Sequence, residues 1–247
     1  MAQPRRLDLA PLPFGVPLFR AIADVHGAHR APELYRKIIG RVGEAPVEEI
    51  GHGGHGVVYL LPSGRAMKVT WDPVEVDAMT MLKGLEHPNL VHVFDAFIAR
   101  TDGDVGLGIV VREKLEDTLL DYDPALSDFL EEASDVAYDM YRAQRNRGAG
   151  HRIALLHAMS ALVSHLYEEA GRTGEPLLMD IAEGIRQLGM HGLLGITFHG
   201  RNIGIEKLAD RAHAVIFDFG RLATKRAAVA MMGKNSLPGL AYYGEGE

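Results

Sequence analysis

The alternation of apolar and polar positions changes period several times along this chain. Val57-Val-Tyr-Leu-Leu61 and Ala66-Met-Lys-Val-Thr70 are short apolar runs separated by Pro62-Ser-Gly64, a pattern that predicts a β-hairpin. Asp72-Pro73-Val-Glu75 then opens a helix running to about Leu85. Asp72 suits the N-cap, Pro73 the first turn, and Glu75 would close a capping box. His87-Pro-Asn89 breaks that helix. Leu90 to Ile98 and Val105 to Arg112 predict a second hairpin, turned by Thr101-Asp-Gly-Asp104. Residues 116–190 switch to helical spacing, with stripes such as Leu126, Phe129, Leu130, Ala133 and Ala137, then Leu155, Met159, Leu162 and Leu166, then Leu177, Leu178, Ile181, Ile185 and Leu188. Residues 202–206 and 213–217 return to strand character.

This order predicts an α+β protein with a small antiparallel sheet ahead of a mainly helical region. Residues 1–45 read as an N-terminal extension whose first part is kept irregular by Pro4, Pro11, Pro13 and Pro17. A short helix over 32–41 follows it. Residues 46–113 form the sheet-bearing unit and 114–247 the helical one. Arg142, Arg145, Arg147 and Arg152 mark either a solvated helix end or a basic docking patch.

Composition narrows the chemistry. The chain has 247 residues and a net charge of -7, so its surface as a whole does not invite nucleic acid. It has no run of about 18 apolar residues, the length a membrane helix requires. Cysteine is absent, which excludes disulfides and thiolate metal sites and fits a cytoplasmic setting. The twelve histidines are scattered without metal-ligand spacing.

Three features suggest a phosphate site. Gly51-His-Gly53-Gly-His-Gly56-Val57 is a G-x-G-x-x-G-x-V run that leads into a strand, where a dinucleotide fingerprint leads into a helix. Read blandly it is a glycine-rich turn. Read sharply it is a loop whose amide hydrogens close over phosphates. Lys68 stands mid-strand among apolar residues, where it needs either an anionic partner or an edge facing water. Ile216-Phe-Asp218-Phe-Gly220 delivers a carboxylate straight from an apolar strand, and Asn202 lies sixteen residues earlier at the start of another strand. Such a pair of oxygen ligands suits a hard cation.

In that order these segments resemble the protein kinase-like superfamily. Gly51–Val57 resembles the glycine-rich lid, and Ala66-Met-Lys68 is similar to the phosphate-pairing lysine motif. His87-Pro-Asn-Leu-Val91 resembles the segment after the regulatory helix. Phe198-His-Gly-Arg-Asn202 resembles the end of the catalytic loop, and Asp218-Phe-Gly220 the magnesium motif. The resemblance covers about residues 46–115 and 194–221. It implies a two-lobed kinase-like fold with a reduced helical lower lobe, and ATP and Mg2+ as cofactors. Gly51, Gly53, Gly56, Val57 and Lys68 would contact the nucleotide, Asn202 and Asp218 would hold the metal, and residues 110–115 would meet the adenine.

The departures shape the functional expectation. Thr197 occupies the place of the family's catalytic aspartate, and a hydroxyl does not accept a proton as a carboxylate does. His199, two residues on, stands where aminoglycoside-kinase-like relatives often also carry histidine; it either touches the γ-phosphate or acts as a substitute base, or it is a loop-ordering side chain. The acid that should pair with Lys68 is Glu75 or its neighbour Asp77, since the family's usual spacing reaches Ala78; Glu75 has the longer reach. No Ala-Pro-Glu motif follows Gly220, which resembles the reduced lower lobes of RIO-type kinases. The resemblance therefore implies an atypical serine/threonine protein kinase transferring phosphate to a protein hydroxyl. The alternative is a pseudokinase, a nucleotide-binding module for a regulatory protein partner. Neither reading involves nucleic acid or a membrane.

Overall fold

A computed structural model describes residues 17–53, 56–101, 106–195, 198–209 and 211–218. Among them the protein is α+β, with seven helices, a five-stranded antiparallel sheet and a second sheet of three strands. The large sheet comprises β1 (Glu48–Gly53), β2 (Gly56–Leu60), β3 (Ala66–Thr70), β4 (Val93–Arg100) and β5 (Gly106–Arg112), in the order β1-β2-β3-β5-β4. Both predicted hairpins are present: β2 pairs antiparallel with β3, and β4 with β5.

Strand alternation divides the sheet's side chains between two cores. Met67, Val69, Leu107, Ile109 and Val111 face α1 (Pro17–His26) and α2 (Ala31–Val42) in one cluster. The opposite face carries Lys68, paired in register with Val110, and Arg112, paired with Ala66. Val110 and Ala96 join the other cluster, together with α3 (Pro73–Leu82). Gly108 is needed on this side. A Cβ there would stand 2.4 Å from Val76 of α3 and 2.7 Å from the Thr70 methyl.

The α1 helix departs from the sequence expectation. Pro17 is its first residue rather than a breaker, because the first turn of a helix has no use for the missing N–H. Leu18, Phe19 and Ile22 are then buried against α2 and the sheet. The α2 helix is tied down at its far end, where Arg41 donates to both Asp95 oxygens at 2.8 and 3.0 Å and lies 4.0 Å from the Phe97 ring centre. Lys83 donates to the same carboxylate at 2.7 Å. Partial burial pushes Asp95 upward, but these hydrogen bonds and charges outweigh it and hold its pKa down at about 2. A depressed carboxylate pKa contributes stability above its unfolded value, near 3.9, and loses that contribution as pH falls toward about 2. Asp95→Asn is therefore expected to cost about 1 kcal/mol at pH 7, the upper range for partly exposed pairs. In thermal unfolding the difference from wild type should shrink as the pH is taken down through that window.

The second sheet contains β6 (Asp117–Thr118), β7 (Ile203–Lys207) and β8 (Ala212–Ile216), which the short helix α4 (Leu119–Tyr122) joins to the helical region. Three long amphipathic helices pack beside it: α5 (Pro124–Asn146), α6 (His151–Thr173) and α7 (Pro176–Met190). Pro124 and Pro176 open α5 and α7, capped by the side chains of Asp123 and Glu175. The arginines 142, 145, 147 and 152 are exposed around the α5–α6 turn. No described helix is long and apolar enough to cross a membrane.

Candidate functional site

Three segments distant in sequence meet at Lys68. Its Nζ lies 2.6 Å from Glu75 Oε1 and 3.0 Å from Asp218 Oδ2. Lys68 comes from the buried centre of β3, Glu75 from the first turn of α3, and Asp218 from the chain just beyond β8.

Local chemistry explains why Glu75 faces inward. In the predicted capping box it would turn back to the Asp72 N–H. That donor is already satisfied by Thr70 Oγ1 at 3.0 Å, while the Asp72 carboxylate accepts from Val74 N–H at 2.8 Å. The box is therefore not formed. Glu75 is free to enter the space beneath the sheet, where it is fully buried. Its Oε1 forms a close ion pair with Lys68 at 2.6 Å. Asp77, the other candidate partner, has its pKa raised by burial, and no ion pair joins it to Lys68 among the described residues.

Asp218 is aimed by its neighbours. The segment His87–Val91 runs beside β8. Asn89 O accepts from Ile216 N–H at 3.0 Å, and Val91 N–H donates to Ile216 O at 2.9 Å. The buried Asn89 side chain donates to Ala214 O at 3.2 Å. The loop after α3 therefore holds both the helix carrying Glu75 and the strand leading to Asp218. Across the β7–β8 hairpin Ile203 faces Ile216, and Phe217 N–H donates to Asn202 O at 3.0 Å. Asn202 and Asp218 are thereby brought to one end of the hairpin despite their separation in sequence.

Charge sets the character of the cluster. Burial works against the Lys68 ammonium, but the carboxylates of Glu75 and Asp218 outweigh it and raise its pKa. Burial dominates at Glu75, where it lifts the pKa to about 7 against the pull of Lys68, with the Asp218 charge adding to the rise. The Asp218 side chain is 29% exposed against 1% for Glu75, so Asp218 is the corner that a ligand can reach.

A carboxylate with a raised pKa binds its proton more tightly in the folded chain. Its contribution to stability is full below the unfolded value near 4.5 and is lost as pH rises through about 7. Wild-type stability should fall over that window, and Glu75→Gln should flatten the slope in denaturant titrations from pH 5 to 8. An unchanged slope would mean that Glu75 is ionised throughout.

The glycine run divides in two. Gly51 and Gly53 lie on β1, where a Cβ at Gly53 would meet nothing within 4 Å. Gly56 opens β2, and a Cβ there would stand 2.2 Å from Val69 O, so this glycine serves the close approach to β3. Val57 follows it, half-buried beside the sheet's outer cluster. Gly54 and His55 lie outside the described residues, as do Thr197, Phe219 and Gly220.

The loop before Asn202 is seated on one face of α5. Ser134 Oγ donates to Phe198 O at 3.1 Å and accepts from Phe198 N–H at 3.2 Å. Gly200 packs against Ser127, one turn nearer the start of α5 than Glu131. His199 is half-exposed, its Nδ1 3.7 Å from Glu131 Oε1. Sequence reasoning found neither serine, because small polar residues inside an amphipathic helix carry no distinguishing pattern. It also passed over Arg112, a buried cation whose carbon Cζ lies 4.6 Å from the Phe217 ring centre. Its one signal was a charged residue ending the otherwise apolar run Gly106-Leu-Gly-Ile-Val-Val.

Among the described residues no group of three or more histidines, aspartates or glutamates is placed to hold a metal. A magnesium ion bound with phosphates needs only one or two protein oxygens, and the adjacent Asn202 and Asp218 fit that requirement. Neither the known protein families nor the curated proteins searched give a match to this chain.

Proposed function

We propose that this protein is an ATP- and Mg2+-dependent phosphotransferase with a two-lobed, kinase-like organisation, acting on a protein hydroxyl as an atypical serine/threonine kinase. One observation carries the reading: a single buried lysine joins a helix carboxylate at 2.6 Å and a strand-end carboxylate 150 residues away at 3.0 Å. A lysine needed only for stability would be replaced at little cost by an apolar residue, since buried ion pairs rarely outperform good packing. Its retention beside an accessible aspartate suits a site that receives a charged ligand. With ATP bound, Mg2+ would neutralise phosphate charge.

The chain's own residues would then divide the work. Lys68 is held by Glu75 in position to pair with phosphate oxygens, and Asp218 with Asn202 offers oxygens to the metal. Gly51 and Gly53 leave the backbone of β1 open for close approach. The hydroxyl proton of the acceptor must be taken as its oxygen bonds to phosphorus and the bond to the ADP oxygen breaks. His199, half-exposed and two residues after Thr197 in the sequence, is the candidate base. General-base help is worth about 10²–10⁴-fold, so transfer without a carboxylate would be slow rather than absent.

Thr197 supports a second reading, a pseudokinase that binds nucleotide to regulate a protein partner. Transfer of labelled γ-phosphate into lysate proteins separates the two. On the first reading wild type labels an acceptor and Asp218→Asn does not. On the second, wild type is silent and Thr197→Asp gains activity. If saturating Mg-ATP adds no thermal stability, where about 2.7–4 kcal/mol is expected at 100–1,000 times Kd, both readings fall.

A further inference from the structure

Arg112 has no assigned role in the site described above, yet it is among the most deeply buried charges in the protein, 7% exposed at the end of β5. Burial lowers its pKa, against the opposing pull of Asp218, Glu75 and Glu113. No carboxylate forms a direct ion pair with it among the described residues. Its Nη1 donates to Glu113 O at 3.0 Å, and the guanidinium lies over the Phe217 ring. A buried cation without a contacting anion is costly, and a leucine or methionine would fill a strand-end core position at less cost.

The location suggests what offsets that cost. Phe217 is bonded directly to Asp218. Its N–H is held from one side by Asn202 O at 3.0 Å, and its ring from the other by Arg112. Arg112 is itself fixed by strand pairing with Ala66 on β3 and Val93 on β4. The sheet thus reaches across to the chain that carries Asp218.

We propose that Arg112 is a positioning residue: by clamping Phe217 it holds the Asp218 carboxylate in place and thereby sets the affinity of the site for a divalent cation. The metal half of this assignment rests on the phosphotransfer reading, and the clamp itself does not.

The two halves are tested separately. In the ligand-free arm, unfolding free energies are measured for Arg112→Met, Phe217→Leu and the double variant. The clamp predicts a non-additive cycle, with Phe217→Leu costing less once Arg112 is gone. An additive cycle overturns it. Arg112→Lys, which keeps the charge but not the planar fork, supplies the pair if Arg112→Met does not fold.

In the ligand arm, ATP affinity is measured by titration with and without Mg2+. Positioning predicts that Arg112→Met weakens the Mg2+-dependent gain by about 10–100-fold, the usual effect of losing a support behind a metal ligand. Arg112→Lys should retain part of that gain. A purely electrostatic Arg112 predicts the opposite sign, because removing a nearby cation should tighten binding of Mg2+. An unchanged or tightened Mg2+ dependence therefore overturns the assignment. A wild type that binds no ATP under either condition removes the phosphotransfer reading and the metal half with it; the stability cycle then decides the clamp.

Discussion

If the site binds nucleotide as proposed, Lys68→Met is expected to abolish nucleotide-dependent stabilisation; it is also expected to unfold the protein more easily, and the two effects should be separable. Removing the ammonium leaves Glu75 fully buried beside Asp218 with no counter-charge in contact. Breaking a buried pair in this way costs about 3–5 kcal/mol. Glu75 limits the loss by taking up a proton, since its pKa already stands at about 7 with Lys68 in place. The destabilisation should therefore be smaller at pH 5 than at pH 8. Adding Glu75→Gln removes the orphaned charge and should recover much of the stability. It should not recover Mg-ATP binding, because no cation would face the phosphates. Chemical denaturation of the single and double variants, with and without Mg-ATP, reads both quantities. Equal recovery of stability and of nucleotide binding in the double variant would show that Lys68 serves the fold alone.

The second large effect is expected at Gly200. A Cβ there would lie 2.0 Å from Ser127 Oγ and 2.6 Å from Ser127 Cβ, with the Leu120 amide nitrogen at 3.1 Å. Gly200→Ala must push the loop carrying His199 and Asn202 away from α5. Overpacking of this kind costs about 1–3 kcal/mol. The displacement should reach Asp218 as well, through the hydrogen bond between Phe217 and Asn202. On the phosphotransfer reading, phosphate transfer should thus fall further than stability alone would dictate. Ser127→Gly clears the two closest atoms, so the double variant should recover most of both losses; the Leu120 amide remains and keeps the recovery incomplete. If Ser127→Gly gives no relief, the loop is not seated on α5 as described. Seating by Ser134, which brackets Phe198 through both its N–H and its carbonyl, gives an independent measure of the same contact.

These expectations explain why parts of the site were legible and others were not. Both hairpins, the start of α3 at Pro73 and the three long helices follow from signals within a few residues of one another. Turn residues between apolar runs, proline in a first helical turn and 3.6-residue spacing act through local backbone sterics and burial of one face. Lys68 stood out because a charge amid apolar strand residues demands a partner wherever the chain folds.

Its partners were a different matter. Glu75 carried a plausible local role in the capping box and lost it because Thr70, two residues before the cap, satisfied the same amide first. Pro17 reads as a breaker because four prolines lie close together in sequence, yet it opens α1, whose apolar face finds α2 and the sheet. Arg112 shows in the sequence only as a charge ending an apolar run, and its meaning lies in Phe217, which reaches it from another sheet. The sequence alone determined most of the strand and helix segments, α1 excepted, and which few residues must carry charge into the interior, because short-range sterics and desolvation are properties of the chain itself. Only the tertiary structure decided which charges meet, because the register of β3 with β5, the clasp of His87–Val91 on β8 and the packing of α5 against residues 198–202 are set by long-range burial.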